Sequence, residues 1–254
     1  MDLQTIVNAH QHHLSNTERE ILAFMLTHEE FVAESTINSL AHRTYTSTSS
    51  IIRLTKKLNF SGFTELKYFI KNSLNTASER PVDFVSSGVE DIMKTLETLQ
   101  NTDLEDILSH IHRARTVYCF GTGYAQRNAI QEFSKSLLVC GKFAHVIPAK
   151  NEFAGSISSM TTDDLVIVVS LSGNTESVQE TINALSSRKI PMLAITAQSL
   201  NYISSHATYS LRYEATPTHI GDHSKHPYHS FVALSVLLDY IVRQYMNFLD
   251  TEDQ

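Results

Sequence analysis

From Leu14 to about Leu74 the apolar residues recur at helical spacing, as in Ile21, Leu22, Met25 and Leu26, then Ile37, Leu40 and Ala41, then Ile51, Leu54 and Leu58. The pattern predicts a series of short helices without strands. Ser15, with Glu18 three positions on, has the form of a capping box that opens one of them. The stretch 75–89, NTASERPVDFVSSGV, is polar with one Pro and one Gly, and predicts an irregular interdomain linker. Helical segments over about 89–100 and 103–114 follow, and then the texture changes. Short apolar runs at 116–120, 144–147, 165–169, 192–195 and 208–211 alternate with helix-length intervals, and a last helix is expected over about 228–248. Uninterrupted apolar strands of this kind are buried on both faces, which means a parallel sheet with helices on either side. The run Leu165 to Val169 is the most apolar and predicts the central strand. The expected fold class is therefore α/β: an all-α domain over 1–76, a linker over 77–90, and a doubly wound, flavodoxin-like parallel-sheet sandwich over 91–254.

A chain of 254 residues, 42% of them hydrophobic, suits two such cores. No run of about 18 or more uncharged apolar residues occurs, and Met1-Asp2-Leu3-Gln4 lacks the layout of an export signal. The expectation is a cytoplasmic protein without a membrane partner. Cys119 and Cys140, in a predicted strand and at a predicted helix end, read as reduced packing residues. The net charge of -7 argues against a chain that coats nucleic acid along its whole length. Its distribution changes that picture. Residues 1–80 carry 8 Lys+Arg and 8 Asp+Glu, so the whole excess of acid lies beyond them. Between Arg43 and Lys71 there are six basic residues, Arg43, Arg53, Lys56, Lys57, Lys67 and Lys71, against Glu65 alone. A local cationic surface suits contact with phosphates.

Thr36 to Arg43 predicts a short helix, Thr44 to Ser47 a turn, and Thr48 to Leu58 a second helix, the size of a helix-turn-helix unit whose second helix enters the major groove. Ser47 would cap the second helix. Thr48, Ser49 and Ser50 are short hydroxyl side chains at its leading end, able to approach base edges or phosphates. Arg53 lies one turn along, within reach of a guanine edge or a phosphate, and Lys56 and Lys57 suit phosphates. An ordinary capped turn beside a solvated lysine face would account for any one of these residues, but less easily for all of them together.

Over Ser50 to Lys67 the sequence, SIIRLTKKLNFSGFTELK, resembles the N-terminal domain of the RpiR family of regulators, in its Arg, Lys-Lys-Leu, aromatic-Ser-Gly-Phe and Leu-Lys elements. Asn59 stands where that family usually has Gly, and Asn is the common alternative at a left-handed helix end. Ser61-Gly62 then opens another helix whose free N–H groups suit a backbone phosphate. The resemblance implies double-stranded DNA as a partner, with Ser47, Thr48, Ser49, Ser50, Arg53, Lys56, Lys57, Gly62 and Lys67 as contacts.

Ser170-Leu171-Ser172-Gly173-Asn174-Thr175 follows directly on the most apolar strand. Three hydroxyls, an open backbone at Gly173 and a helix start offer converging donors to a dianion at the carboxyl end of a parallel strand, where such sheets bind ligands. Gly121-Thr122-Gly123 supplies a second tight turn after the first strand. Together these loops resemble the sugar isomerase (SIS) domain over about 105–248, and the RpiR resemblance then covers nearly the whole chain. It implies that Ser170, Ser172, Gly173 and Thr175, with backbone from Asn174 and Leu171, hold the phosphate of a sugar beside Gly121, Thr122 and Gly123. Ala125 departs from the usual G-x-G-x-S pattern, and Tyr124 or Gln126 stands in for the missing hydroxyl. This Tyr124-Ala125-Gln126 variation resembles family members for which a disaccharide phosphate is the signal.

His219, His223, His226 and His229 crowd a predicted loop with Asp222, but Gly221 and Pro227 argue against the regular helix that would gather metal ligands, so the loop is read as lying near the pocket. No metal or cofactor is expected. His10, His12 and His13 read as solvated helix surface. Glu152 either faces a sugar hydroxyl or is a surface carboxylate. Three functions fit: a homodimeric regulator whose operator affinity responds to a sugar phosphate, a phosphosugar isomerase with an accessory helical domain, or a DNA-binding protein whose α/β domain only dimerises. The basic cluster and the Ser-rich helix favour the first.

Overall fold

Hydroxyl side chains set the starts of three N-terminal helices, each accepting from the N–H three residues on: Ser15 from Glu18, Thr36 from Ser39 and Ser47 from Ser50. Each such cap contributes about 1 kcal/mol to a helix too short to persist alone. The computed structural model describes residues 3–10, 14–79, 83–198, 200–219 and 227–252, and the chain divides into two units, 1–82 and 83–254. The first holds α1 (Leu3–His10), α2 (Asn16–Thr27), α3 (Glu29–Glu34), α4 (Ile37–Arg43), α5 (Thr48–Lys57) and α6 (Phe63–Glu79). Its core gathers the apolar stripes, including Leu22, Met25, Leu40, Ile51, Leu54 and Leu66, all fully buried. Asn59 adopts φ 67, the left-handed helix end expected of it.

The second unit runs α7 (Phe84–Gln100), α8 (Glu105–Arg113), β1 (Val117–Gly121), α9 (Tyr124–Val139), β2 (Ala144–Ile147), α10 (Lys150–Ser156), β3 (Leu165–Ser170), α11 (Gln179–Ser187), β4 (Met192–Thr196), α12 (Tyr202–His206), β5 (Tyr209–Arg212) and α13 (Val232–Glu252). The five strands are all parallel in the order β2-β1-β3-β4-β5, with β3 central. Alternate β3 residues divide between two cores. Leu165, Ile167 and Val169 pack with α8, α9 and α13, whereas Val166 and Val168 pack with α10, α11 and α12. Cys119 is buried in β1, its thiol pushed up to about 12 by burial, and Cys140 caps the end of α9; both are free.

The irregular linker expected over 77–90 is a correction. Helix α6 continues to Glu79, and α7 begins at Phe84, capped by Asp83, whose carboxylate accepts from Val85 and Ser86 N–H. The helix expected from about 89 thus begins five residues earlier, and its buried stripe is Asp91, Thr95 and Leu99, two of them polar. The last helix starts at Val232 rather than 228, because Tyr228 pairs with Thr218 in an antiparallel bridge and His229 Nδ1 bonds Ala215 O. His10, expected on a solvated surface, is half-buried and bonds Ile6 O and the Asn59 amide. His12, His13, Asp222, His223 and His226 lie outside the described residues. No helix among the described residues is long and apolar enough to cross a membrane.

Candidate functional site

The α4–turn–α5 unit is built as its sequence implies. Thr46 N–H returns to Ala41 O, the Thr44 and Thr46 hydroxyls lie 2.8 Å apart, and the chain reverses at Tyr45, which takes φ 51. Helix α5 buries Ile51, Leu54 and Thr55, which leaves Ser49, Ile52, Arg53 and Lys56 together on the outward face. Thr48 and Ser50 are half-buried, and the Ser50 hydroxyl lies 2.9 Å from that of Ser47.

The cations expected to form one surface are used differently. Lys57 pairs with Glu18 at 2.8 Å. Partial burial works against ionisation of Glu18, but hydrogen bonds from Lys57 and Ser15 outweigh it and hold the carboxyl below its ordinary value. Lys67 donates to Ser35 O at 3.0 Å, Lys71 pairs with Glu34, and the Arg43 guanidinium lies over the Phe31 ring. Arg53 and Lys56 are exposed and form no ion pair among the described residues. Gly62 precedes α6, but Ser61 N–H at that end already donates to Glu65 Oε2 at 2.6 Å. Sequence reasoning missed Tyr45 and Ile52, apolar side chains 94% and 40% exposed beside the leading end of α5. The spacing Ile51, Leu54 and Leu58 carried the signal, since it fixes the buried face of α5 and leaves Ile52 off it.

In the second unit β1 and β3 lie side by side with Gly121 opposite Val169, and the strand order reverses here, so their carboxyl ends open a crevice at a topological switch point. Both expected loops meet there. The Thr122 hydroxyl donates to Ser170 Oγ at 3.1 Å, and Gly173 N–H donates to the same oxygen at 3.1 Å. Ser170 is 1% exposed with both acceptor positions filled, leaving only its own proton to give. Ser172 and Thr175 are partly exposed; Ser172 Oγ accepts from Asn174 N–H, and Thr175 makes no cap bond to the turn it opens. Gly123 starts α9 without a side-chain cap, so that helix presents free N–H groups and a positive dipole end at the same loop. A β-carbon on Gly121 would stand 2.7 Å from Arg127 N, which is why the turn requires glycine.

Supports from more distant elements hold these loops. Gly173 takes φ 68 with Asn201 packed against it. Asn201 caps α12, reaches Thr196 Oγ1 at 2.9 Å, and Ile203 N–H returns to Gly173 O. Asn174 Oδ1 accepts from Tyr202 N–H. Of the two residues weighed for the absent hydroxyl, Tyr124 is 75% exposed, while Gln126 is buried beneath Gly123 and bonds Tyr213. The Tyr213 hydroxyl reaches Ser170 O at 3.4 Å, and burial pushes its phenol well above the ordinary range. Glu152 is exposed in the first turn of α10. His219 is exposed and His229 half-buried; no group of three His, Cys, Asp or Glu able to hold a metal occurs among the described residues.

A doubly wound sheet with hydroxyl-rich loops at its switch point defines the class, and residues 110–242 match the SIS domain. Residues 1–77 match the helix-turn-helix domain of the rpiR family, and the chain belongs to that family of regulators joined to an SIS domain. It is 26% identical over 252 residues to the HTH-type transcriptional regulator GlvR of Bacillus subtilis, covering 99% of this chain and 98% of that one. The solved structure of Vibrio vulnificus NanR complexed with ManNAc-6P is similar over 99% of this chain and 94% of that chain, with TM-score 0.58 and 22% identity. The sugar isomerase domain of an RpiR transcription factor from Sphaerobacter thermophilus is similar over 66% of this chain and 97% of its own, with TM-score 0.53 and 20% identity.

Proposed function

We propose that this chain is a cytoplasmic transcription regulator of carbohydrate genes that grips double-stranded DNA through α5 and changes its operator affinity when a sugar phosphate binds between the 121–123 and 170–175 loops. One observation carries the reading: a single chain joins a recognition helix whose Ser49, Arg53 and Lys56 face outward to a sheet whose donor loops are laced together at its switch point. The name of the Bacillus subtilis relative and the ligand in the Vibrio vulnificus structure support it.

The roles divide by geometry. Arg53 and Lys56 contact bases or phosphates, with Ser47 to Ser50 and Gly62 setting the backbone approach. Lys57 and Lys67 serve DNA only by leaving Glu18 and Ser35, so their first role is to hold the domain. Ser172, Asn174 and Thr175, with Gly121 to Gly123 and the start of α9, bind the phosphate, and Ser170 holds the two loops in register. The protein acts by binding and not by turnover. Isomerisation needs a base at a sugar carbon, and of the residues weighed for the pocket Glu152 is exposed on α10 while His229 is engaged with Ala215 O. A homodimer would supply the two recognition helices that a full operator requires.

The test is a gel shift on the DNA upstream of the chain's own gene, over a range of salt, with and without sugar phosphates chosen by a thermal-shift screen that includes disaccharide phosphates. A ligand at 100 times its Kd stabilises by about 2.7 kcal/mol. Failure to bind DNA under any condition, or turnover of fructose 6-phosphate, would end this reading.

A further inference from the structure

The segment that leaves β5 touches both ends of the second unit's regulatory problem. At Tyr213 it is fully buried, with its hydroxyl on Ser170 O and a side-chain hydrogen bond to Gln126, so it sits against the two loops at the switch point. One residue on, Glu214 N–H donates to Thr95 Oγ1 at 2.9 Å. Two residues further, Thr216 gives Asp91 two hydrogen bonds, N–H to Oδ2 at 2.9 Å and hydroxyl to Oδ1 at 2.6 Å. Thr218 then pairs with Tyr228 on the approach to α13. Asp91 and Thr95 belong to α7, the first helix of the second unit.

Asp91 is the unusual member. It is 5% exposed, and among the described residues no cation pairs with it. A buried carboxylate is tolerated only while hydrogen bonds satisfy it, and here the donors come from Thr216. A shift of α7 or of the 213–218 strap alone breaks both of these hydrogen bonds, so the contact ties the two together. Coupling between sites requires an element that both bias, and this contact joins the segment packed on the loops to α7.

We infer that the Asp91–Thr216 clamp transmits occupancy of the phosphate loops to α7, and through it to the chain leading into the DNA-binding unit. This rests on the phosphate-binding reading above. It assigns no ligand contact to either residue: both are positioning residues, and their loss uncouples the response while leaving the loops intact.

Hydrogen exchange on the full chain separates these ideas, with inorganic phosphate as the probe and chloride at equal ionic strength as the control. In the wild type, phosphate is expected to slow exchange in the 170–178 segment and also in α7, by on the order of fivefold. In Thr216→Val the loop keeps its protection and α7 loses its own, and Thr216→Ser, which keeps the hydroxyl, restores it. Asp91→Asn serves as the second variant should Thr216→Val not fold, with the same result expected. If α7 responds equally in wild type and variants, or does not respond in the wild type while the loop does, the clamp is overturned and the binding site stands. If phosphate protects neither segment of the wild type, the binding reading fails, and this inference with it.

Discussion

Tyr45 and Gly173 both occupy the left-handed region, at φ 51 and φ 68, and substitution at the two should have opposite signs. Tyr45 is 94% exposed, so its ring contributes no packing to offset a backbone conformation that costs a non-glycine residue about 1 kcal/mol. Tyr45→Gly is expected to stabilise the N-terminal unit by about 0.5 to 1 kcal/mol in urea denaturation; a loss would mean that the ring holds the turn. Gly173→Ala brings both costs together. A β-carbon there would stand 2.0 Å from Asn201 Oδ1, and Asn201 is fixed by its cap and by Thr196. A loss of about 3 kcal/mol is expected, with the phosphate loop displaced, and a neutral outcome would contradict the packing of Asn201. The Ser and Thr residues of the loop were legible because hydroxyls after an apolar strand announce a donor cluster. Asn201 and Tyr213 were not, because each reaches the loop from a segment whose own pattern says nothing about it, and Gln126, weighed as a stand-in for a hydroxyl, instead lies buried beneath Gly123.

At the scale of elements, the strands were read nearly residue for residue; β3 and β4, buried throughout, have no polar face to blur their ends, and the edge strands β2 and β5, with His145 and Ser210 exposed, were legible from their β-rich runs. The helix-turn-helix was equally plain through Thr36 and Ser47. Helix α7 was legible from about residue 89, but its start at Phe84 was read as linker because Ser86, Ser87 and Gly88 break the apolar pattern; its inward Asp91 and Thr95 take their partners from beyond β5. A similar polar device closes the turn before β3. There Asp164, 1% exposed, receives Arg115 through Nε at 3.1 Å and Nη2 at 2.8 Å, and the Thr161 N–H and hydroxyl as well. Burial works against its ionisation, but these donors prevail and hold its carboxyl below the ordinary value. A carboxyl with a lowered folded-state pKa lends stability above its unfolded pKa of about 3.9, and that stability drains away as pH falls through the folded value. Asp164→Asn should therefore cost about 1.5 to 3 kcal/mol at pH 7, and the gap to wild type should close below about pH 4. A gap that stayed constant across that range in urea melts would rule out the charged pair as its source.

For the whole molecule, charge separates the two tasks. The excess of acid lies beyond residue 80, so attraction to DNA depends on the few cations that the N-terminal unit leaves unengaged, Arg53 and Lys56 among them. Every phosphate that the protein ceases to neutralise lowers the slope of log K against log salt by about 0.9 on duplex DNA. Lys56→Ala should therefore flatten the slope by about 0.9 if one copy of the chain grips the operator, and by about 1.8 if a dimer places two recognition helices on it. Lys57→Ala, which removes a partner of Glu18, should leave the slope close to that of wild type while lowering stability. Arg53→Ala distinguishes readout from grip: a residue on a guanine edge costs about 1 to 3 kcal/mol at its own base pair and relaxes the preference there, whereas a phosphate-bound residue weakens all sequences alike when removed. Fluorescence anisotropy over a salt series supplies all of these slopes. Equal slopes for wild type and Lys56→Ala would remove Lys56 from the DNA interface, and a larger effect from Lys57→Ala would mean that binding draws that lysine away from Glu18.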